Sequence, residues 1–445
     1  MVTSRVDAPA AQVGLRALWC SAGFPRLWAI GACANTMRWF EVLAAALFTL
    51  EVTGSGFAVA VVSAARTLPM LLLGAFAGVA SEAVNRKHVL FAGQVLAGLA
   101  AAAVAALAWA EWLEPWHLAT AALAAGIVWS TEMATRRRMV GECVAAPLVA
   151  RALALDAMTN SLTRLVGPIT AGALYQRYGI AGAFTLSTLV YALSAAIVLG
   201  LPHRQEVRRF VLSHVPRDLG EGLRFARGHL IIAGVLAVTF AMNLLGFPYS
   251  ALLAPVGKQV FHVSDTLVGV LAAAEAFGAF LGGLWLSTRE PRWSGRVLMV
   301  GGSLVFLTCV FLMPRAPAFP IAVLLLVVGG FGSAAFANMQ TALVVLHAPP
   351  AIRSRLMGLL TVCIGMGPVG ILLVGALGSG IGPLHAIDVV SASGFVLVAV
   401  IGLVWRSRDR GAARLAQGRG SNAGTAAGAS ASTSAPAVRS SASPP

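Results

Sequence analysis

The chain has 445 residues, of which 58% are hydrophobic and 11% charged, with a mean hydropathy of +0.82. A water-facing protein is roughly one quarter charged, so a soluble enzyme, a disordered chain and a disulfide-framework protein are excluded, and the chain reads as an integral membrane protein. Its formal net charge of +15 would suit a nucleic-acid binder, but the charges cluster between apolar segments, where membrane proteins carry orientation signals, and no nucleic-acid partner is expected.

A helix needs about 20 apolar residues to cross the hydrocarbon core. In chain order, twelve segments approach that test: 27–50, 57–80, 88–110, 117–136, 152–175, 180–200, 230–253, 265–287, 296–313, 318–346, 355–378 and 384–405. The first, fourth and tenth hold polar residues that lower their hydropathy. The N-terminus does not read as a cleaved signal peptide, because its first apolar stretch carries Asn35, Arg38 and Glu41 inside it. The connection 201–229 is the longest and is rich in arginine. Residues 406–445 are mostly Ala, Ser, Gly and Arg, a composition that cannot bury enough apolar surface to order itself. The tail is therefore expected to be disordered, its arginines serving topology or resting near anionic headgroups. Five cysteines show no metal or redox spacing.

Arginine and lysine set the orientation. With both termini in the cytoplasm, cytoplasmic segments hold 26 of them, the opposite side only Arg177, Lys258 and Arg315. The positive-inside rule favours that arrangement. The expected organisation is a cytoplasmic stretch (1–26), a six-helix bundle (27–200), a cytoplasmic loop (201–229), a second six-helix bundle (230–405) and the tail (406–445).

The two bundles carry matching landmarks. Gly74-Ala-Phe-Ala-Gly78 recurs as Gly278-Ala-Phe-Leu-Gly282, an offset of 204 residues. Gly167-Pro168 recurs as Gly367-Pro368, an offset of 200. Parallel repeats about an axis along the membrane normal are a transporter architecture, with the site near the midplane between the repeats.

The loop after the second segment reads Gly78-Val-Ala-Ser-Glu82-Ala83-Val-Asn85-Arg86-Lys87. It resembles the signature of the major facilitator superfamily, with Gly78, Glu82, Arg86 and Lys87 matching. Ala83 stands where that family usually has Arg, and Asn85 where it has Gly, although Asn tolerates positive φ. The resemblance implies an all-α membrane protein of twelve transmembrane helices in two pseudo-symmetric bundles, and a loop that latches the conformational change. Thr53-Gly54-Ser55, Arg66-Thr-Leu-Pro69, Gly167-Pro168-x-x-Ala-Gly172 and Gly222-Leu-Arg-Phe-Ala-Arg227 are similar to the enterobactin (siderophore) exporter and multidrug exporter branch. The Gly167–Gly172 pattern also resembles an antiporter signature. Physically, its glycines permit close helix approach and Pro168 a kink; ordinary small-residue packing is the alternative.

Charges within the membrane usually face a cavity or a partner. Asn35, Arg38 and Glu41 recur at spacings of three on one helix. Glu41 lies about 21 Å from its cytoplasmic end, at a depth similar to Arg66 on the next helix, so the two can pair. Glu41 then either exchanges protons or stays ionised in a structural pair. Glu275, midway along its helix, is either a proton carrier or a carboxyl kept neutral by hydrogen bonds. Arg164 lies near the midplane and can meet a carboxylate of the substrate or of the protein, Glu132 being one candidate. Asp156, Asp388 and His385 read as helix-start residues. Asn35 and Asn243 lie inside helices that line the cavity in the resembled fold, where Met242, Met339 and Gln340 can add lining; helix-to-helix hydrogen bonds are the alternative for the asparagines.

No nucleophile elbow, phosphate loop, zinc motif or redox pair occurs, so no enzyme activity, cofactor or direct use of ATP is expected. The expected partners are a small-molecule substrate, protons and the lipid bilayer, the chain acting as a monomer in the inner (plasma) membrane. The resemblance implies export of a siderophore-like or drug-like molecule by proton antiport. An importer or lysophospholipid flippase of the same fold is the nearest alternative, and a membrane receptor without transport a more distant one. Proton exchange predicts that Glu41→Gln or Glu275→Gln abolishes driven transport with folding intact.

Overall fold

The computed structural model describes residues 15–21, 23–83, 85–202, 215–288 and 293–431, with side chains described except at 15–16, 74–83, 134, 137, 215–219 and 409–431. All regular elements among the described residues are helical. They run α1 (Leu15–Trp19), α2 (Phe24–Thr53), α3 (Gly56–Ala83), α4 (Arg86–Trp109), α5 (Pro115–Glu142), α6 (Val149–Leu199), α7 (Val215–Gly228), α8 (Leu230–Ala241), α9 (Leu253–Pro255), α10 (Asp265–Thr288), α11 (Gly295–Leu312), α12 (Phe319–His347), α13 (Arg353–Ile364), α14 (Gly367–Ile381) and α15 (Pro383–Ala431).

Local chemistry sets several of these ends. Gly54 closes α2 in the left-handed conformation (φ 63°), its N–H donating to the Leu50 carbonyl at 2.8 Å, a geometry that costs glycine nothing. Pro115 opens α5, where its missing N–H is not needed. Asn85 accepts from the Lys87 N–H at 3.0 Å and caps α4 with φ −60°. It therefore serves as a cap rather than as a stand-in for a left-handed glycine.

Nine helical stretches among the described residues are long and apolar enough to cross a membrane. α2 and α5 are long enough but fall outside that set, in keeping with the polar residues of the first and fourth segments. The tenth was expected to score low as well. Phe319–His347 nevertheless qualifies, its Leu/Val runs outweighing Asn338 and Gln340. The continuous α6 has a non-helical backbone at Gly179 (φ 62°, ψ −166°), dividing it where the fifth and sixth segments were expected to part.

Four expectations change. Part of the 201–229 connection is a helix, α7, with a polar and an apolar face, packed on α13. Its Glu221 meets Arg355 at 2.6 Å. The seventh segment is irregular: after α8 the chain takes a π-helical turn (Met242–Gly246), a 3₁₀ turn (Phe247–Leu252), α9, and a second π-helical turn (Val256–Val260). Pro248 and Pro255 each lack the N–H that a regular helix would use. The eleventh segment breaks into α13 and α14 ahead of Gly367-Pro368. Finally, α15 continues through 406–431, the first part of the stretch expected to be disordered. Alanine and arginine are strong helix formers, and a helix nucleated in the span extends without a second nucleation cost. Residues 432–445 lie outside the described residues.

Helices α2–α6 pack chiefly among themselves, and α8–α15 do the same. Lipid tails are as apolar as the side chains, so close approach rather than water exclusion holds such groups together. A Cβ on Gly278 would run into the Val327 carbonyl, which brings α10 and α12 backbone to backbone. Between the groups, α6 meets α10 and α3 meets α13 and α14. There too the glycines matter. A Cβ on Gly172 would collide with the Asp265 carbonyl, one on Gly269 with the Pro168 carbonyl, and one on Gly375 with Ala60. Gln176 reinforces the α6–α10 contact by accepting from Thr266 Oγ1 at 2.6 Å.

Candidate functional site

A cavity of about 430 Å³ opens between the two helix groups, walled by α2, α5 and α6 on one side and by α10 and the irregular stretch after α8 on the other. Asn35, Arg38, Trp39, Arg66, Trp129, Glu132, Arg136, Asp156, Arg164, Asn243 and Glu275 all line it. A second, mostly apolar cavity of about 310 Å³ adjoins it through Arg38, Trp39, Trp129 and Phe247, and extends to Met70, Pro168 and Pro368.

The charges are arranged in pairs. Arg66 Nη1 donates to Glu41 Oε2 at 3.0 Å, joining α3 to α2, with the two side chains 9% and 6% exposed. This is the partnership that their matched depths suggested. Glu41 itself sits behind the main cavity, on a small void shared with Arg66. Arg136 Nη1 donates to Asp156 Oδ1, joining α5 to α6. Glu132 accepts from Gln94 Nε2 at 3.3 Å and faces Arg136 Nε at 4.0 Å. Arg164 Nη2 donates to Glu275 Oε2 at 2.5 Å, and the other oxygen, Oε1, accepts from Ser333 Oγ at 2.6 Å. Arg164 thus takes Glu275, not Glu132, as its partner, and this pair spans the two helix groups.

Arg38 differs from the other arginines. Its guanidinium lies 3.6 Å from the Trp129 ring centroid and 4.7 Å from that of Trp39, a cation–π placement. Among the described residues no carboxylate comes within ion-pair distance of it. Asn35 lines the cavity one turn away, and Asn243 donates to the Thr239 carbonyl at 2.9 Å while its side chain borders the same space. Met242 and Gln340 are buried in the core, and neither they nor Met339 line the two cavities, which corrects the expectation that these three add lining.

Asp156 and Asp388 are not caps. Asp156 lies seven residues into α6 and is held by Arg136; Asp388 is held by both terminal nitrogens of Arg315. A carboxylate with a guanidinium in reach pairs with it rather than with backbone N–H groups. Arg136, one of the 26 cations assigned to cytoplasmic segments, is instead a buried residue of α5. Its signal was present: seven residues after Trp129, it returns to the same helix face.

Among the gating candidates, Arg86 meets Glu142 at 2.5 Å and Lys87 Nζ donates to the Leu199 and Leu201 carbonyls at 2.8 and 2.9 Å. Both contacts stay within the first helix group. Gly167 packs on α2, where a Cβ would lie 2.8 Å from Trp39 Cβ and 2.9 Å from the Thr36 carbonyl oxygen. Gly172 and Pro168 face α10, as described above. The surroundings of Gly78 and the side chain of Glu82 lie outside the described residues. No group of three or more metal-ligating side chains occurs among the described residues.

A model of the transmembrane secretion effectors of the major facilitator superfamily matches residues 17–422. The chain belongs to that family. It is therefore a multi-pass membrane protein of a transporter family and not an enzyme. It is 25% identical over 366 residues to the multidrug efflux pump Tap of Mycolicibacterium fortuitum, covering 79% of this chain and 88% of that one. It is 26% identical over 248 residues to the enterobactin exporter EntS of Shigella flexneri, covering 56% and 58%. Among solved structures it resembles, with a TM-score of 0.65 and 13% identity, a bacterial homologue of the human lysosomal transporter Spinster in an inward-facing, unoccupied conformation, covering 86% of this chain and 96% of that one. The nucleoside transporter NupG gives a TM-score of 0.64 at 14% identity, covering 85% and 98%.

Proposed function

We propose that this transporter exports a small organic molecule across the inner (plasma) membrane, alternating access between two six-helix bundles and admitting protons in exchange. Twelve spans follow when α2 and α5 are counted as crossings whose polar residues face the cavity, and when α6 is divided at Gly179. With Arg136 set aside as a buried residue of α5, the remaining cytoplasmic-side cations still far outnumber the three opposite, which favours both termini in the cytoplasm. In that orientation the contact of α6 with α10 around Gly172 and Gly269 is the outer closure, and the cavity faces inward. Export is the activity named for Tap and EntS.

The observation that carries this reading is the Arg164–Glu275 bridge. It lies on the cavity wall and joins the two helix groups. A proton added to Glu275 removes the charge that holds Arg164 and so unlocks the two groups for movement between states; loss of the proton to the cytoplasm restores the bridge. The same side chains border the space for substrate, so occupancy and movement share one element.

Energised efflux from loaded, efflux-deficient bacterial cells tests it, using lipophilic cations and catecholate siderophores with a protonophore control. Export of one class, abolished by the protonophore, is the expected result. Accumulation instead of export would turn the reading to an importer or flippase, and no flux for any compound would remove the export assignment.

A further inference from the structure

Four arginines line the main cavity, and three of them are committed. Arg66 is held by Glu41, Arg136 by Asp156, and Arg164 by Glu275. The cavity carboxylates are likewise engaged, Glu132 by Gln94 and by its position opposite Arg136. Arg38 alone makes neither an ion pair nor a hydrogen bond among the described residues. Its guanidinium rests on the face of Trp129 and beside Trp39. Stacking fixes the plane of the fork but uses none of its N–H donors.

A guanidinium positioned in this way is ready to receive an anion. A ligand cation would have to displace an arginine from a carboxylate; a ligand anion displaces nothing at Arg38. The position of Arg38 adds a second constraint. It stands where the charged cavity passes into the apolar one, whose walls include Met70, Phe247 and Ile371. A molecule filling both would present a flat apolar body to the second cavity and an anionic end to Arg38. Trp39 extends the same platform toward Arg164, which lies 5.2 Å from its ring centroid.

We propose that Arg38, backed by Trp129 and Trp39, is the anion subsite of this transporter, and that its substrate class is an amphipathic aromatic anion such as a carboxylate or catecholate. The inference rests on the cavity being the transport site, and is independent of proton exchange at Glu41 or Glu275.

The test uses the full chain in nanodiscs and three matched probes: 2-naphthoate, 2-naphthamide and 2-naphthylmethylammonium, with affinities read by calorimetry against empty nanodiscs. Wild type is expected to bind the carboxylate about tenfold or more tighter than either companion, the ratio of one charge-assisted bidentate contact. Arg38→Gln is expected to erase that preference, and Arg38→Lys to retain part of it, since the charge stays while the fork and its stacking are lost. Equal binding of the three, preference for the ammonium, or no binding of the carboxylate by wild-type protein would each overturn the subsite without requiring any variant to fold. Binding reads the subsite alone. If the carboxylate binds but no compound is exported from cells, the transport reading fails and the anion subsite stands.

Discussion

Glu41–Arg66 and Glu275–Arg164 use the same chemistry in different places. The first joins neighbouring helices α2 and α3 within one group, and both side chains are closed off, at 6% and 9% exposure. The second crosses from α10 to α6, and its arginine remains 32% exposed to the cavity. In a mechanism that rocks one group against the other, the first pair travels as a unit, whereas the second lies on the boundary that must open. Position relative to that boundary, more than burial, decides which carboxylate can couple protonation to movement.

The largest expected effect separates the two on stability. Glu41→Ala strands a guanidinium whose Nε is already buried without a partner, and is expected to cost about 3–5 kcal/mol. Glu275→Ala is expected to cost less, about 1–2 kcal/mol, because Arg164 can turn into the cavity and be solvated there, leaving the Ser333 hydrogen bond as the main loss. Thermal unfolding of the purified variants reads both. Equal losses would erase the distinction between a structural and a mobile pair.

Glu275→Gln keeps the shape and most of the hydrogen bonding of the carboxyl but cannot change charge. Proton-driven export is expected to fall to the level of cells lacking the protein, while downhill flux of loaded substrate persists and the melting temperature stays near that of wild type. Driven export at wild-type rate in this variant would sink the proposed role of Glu275.

Gly269→Val addresses the boundary from its closed end. The added side chain has no space against the Pro168 carbonyl, so α6 and α10 cannot meet there. Export is expected to drop about tenfold or more, and a cysteine placed at Thr266 is expected to react faster with a membrane-impermeant thiol reagent. An unchanged labelling rate would show that this contact is not the closure.

These contrasts bear on what could be read from sequence. The long apolar helices were legible because hydropathy is a local signal. The Arg66–Glu41 pair was legible because adjacent helices allow depth to be counted along the chain. Arg164 and Glu275 were each recognised but not joined, since 111 residues and a group boundary separate them and depth alone does not give rotation about a helix axis. Arg136 was lost to a segment drawn to end at that residue, and Asp156 lost its partner with it. The irregular backbone after α8 escaped a reading based on apolar length, although Gly246, Pro248, Pro255 and Gly257 mark it. Unwound backbone inside a membrane is tolerated where it borders a cavity, and Asn243, Phe247 and Ser250 do border this one.

The smallest expected effect concerns the second partner of Glu275. Ser333 Oγ donates to Glu275 Oε1 at 2.6 Å from α12, a helix that packs on α10 within the same group. That contact survives any movement between groups, so it orients the carboxylate without locking the boundary. Ser333→Ala removes one hydrogen bond of about 1 kcal/mol and leaves the Arg164 bridge in place. Driven export is expected to fall about fivefold, with folding unchanged, and Ser333→Thr, which keeps the hydroxyl, is expected to recover most of it. Initial efflux rates of the two variants at equal expression provide the measurement. A loss as deep as that of Glu275→Gln would mean that orientation within the group, and not the bridge between groups, limits the cycle.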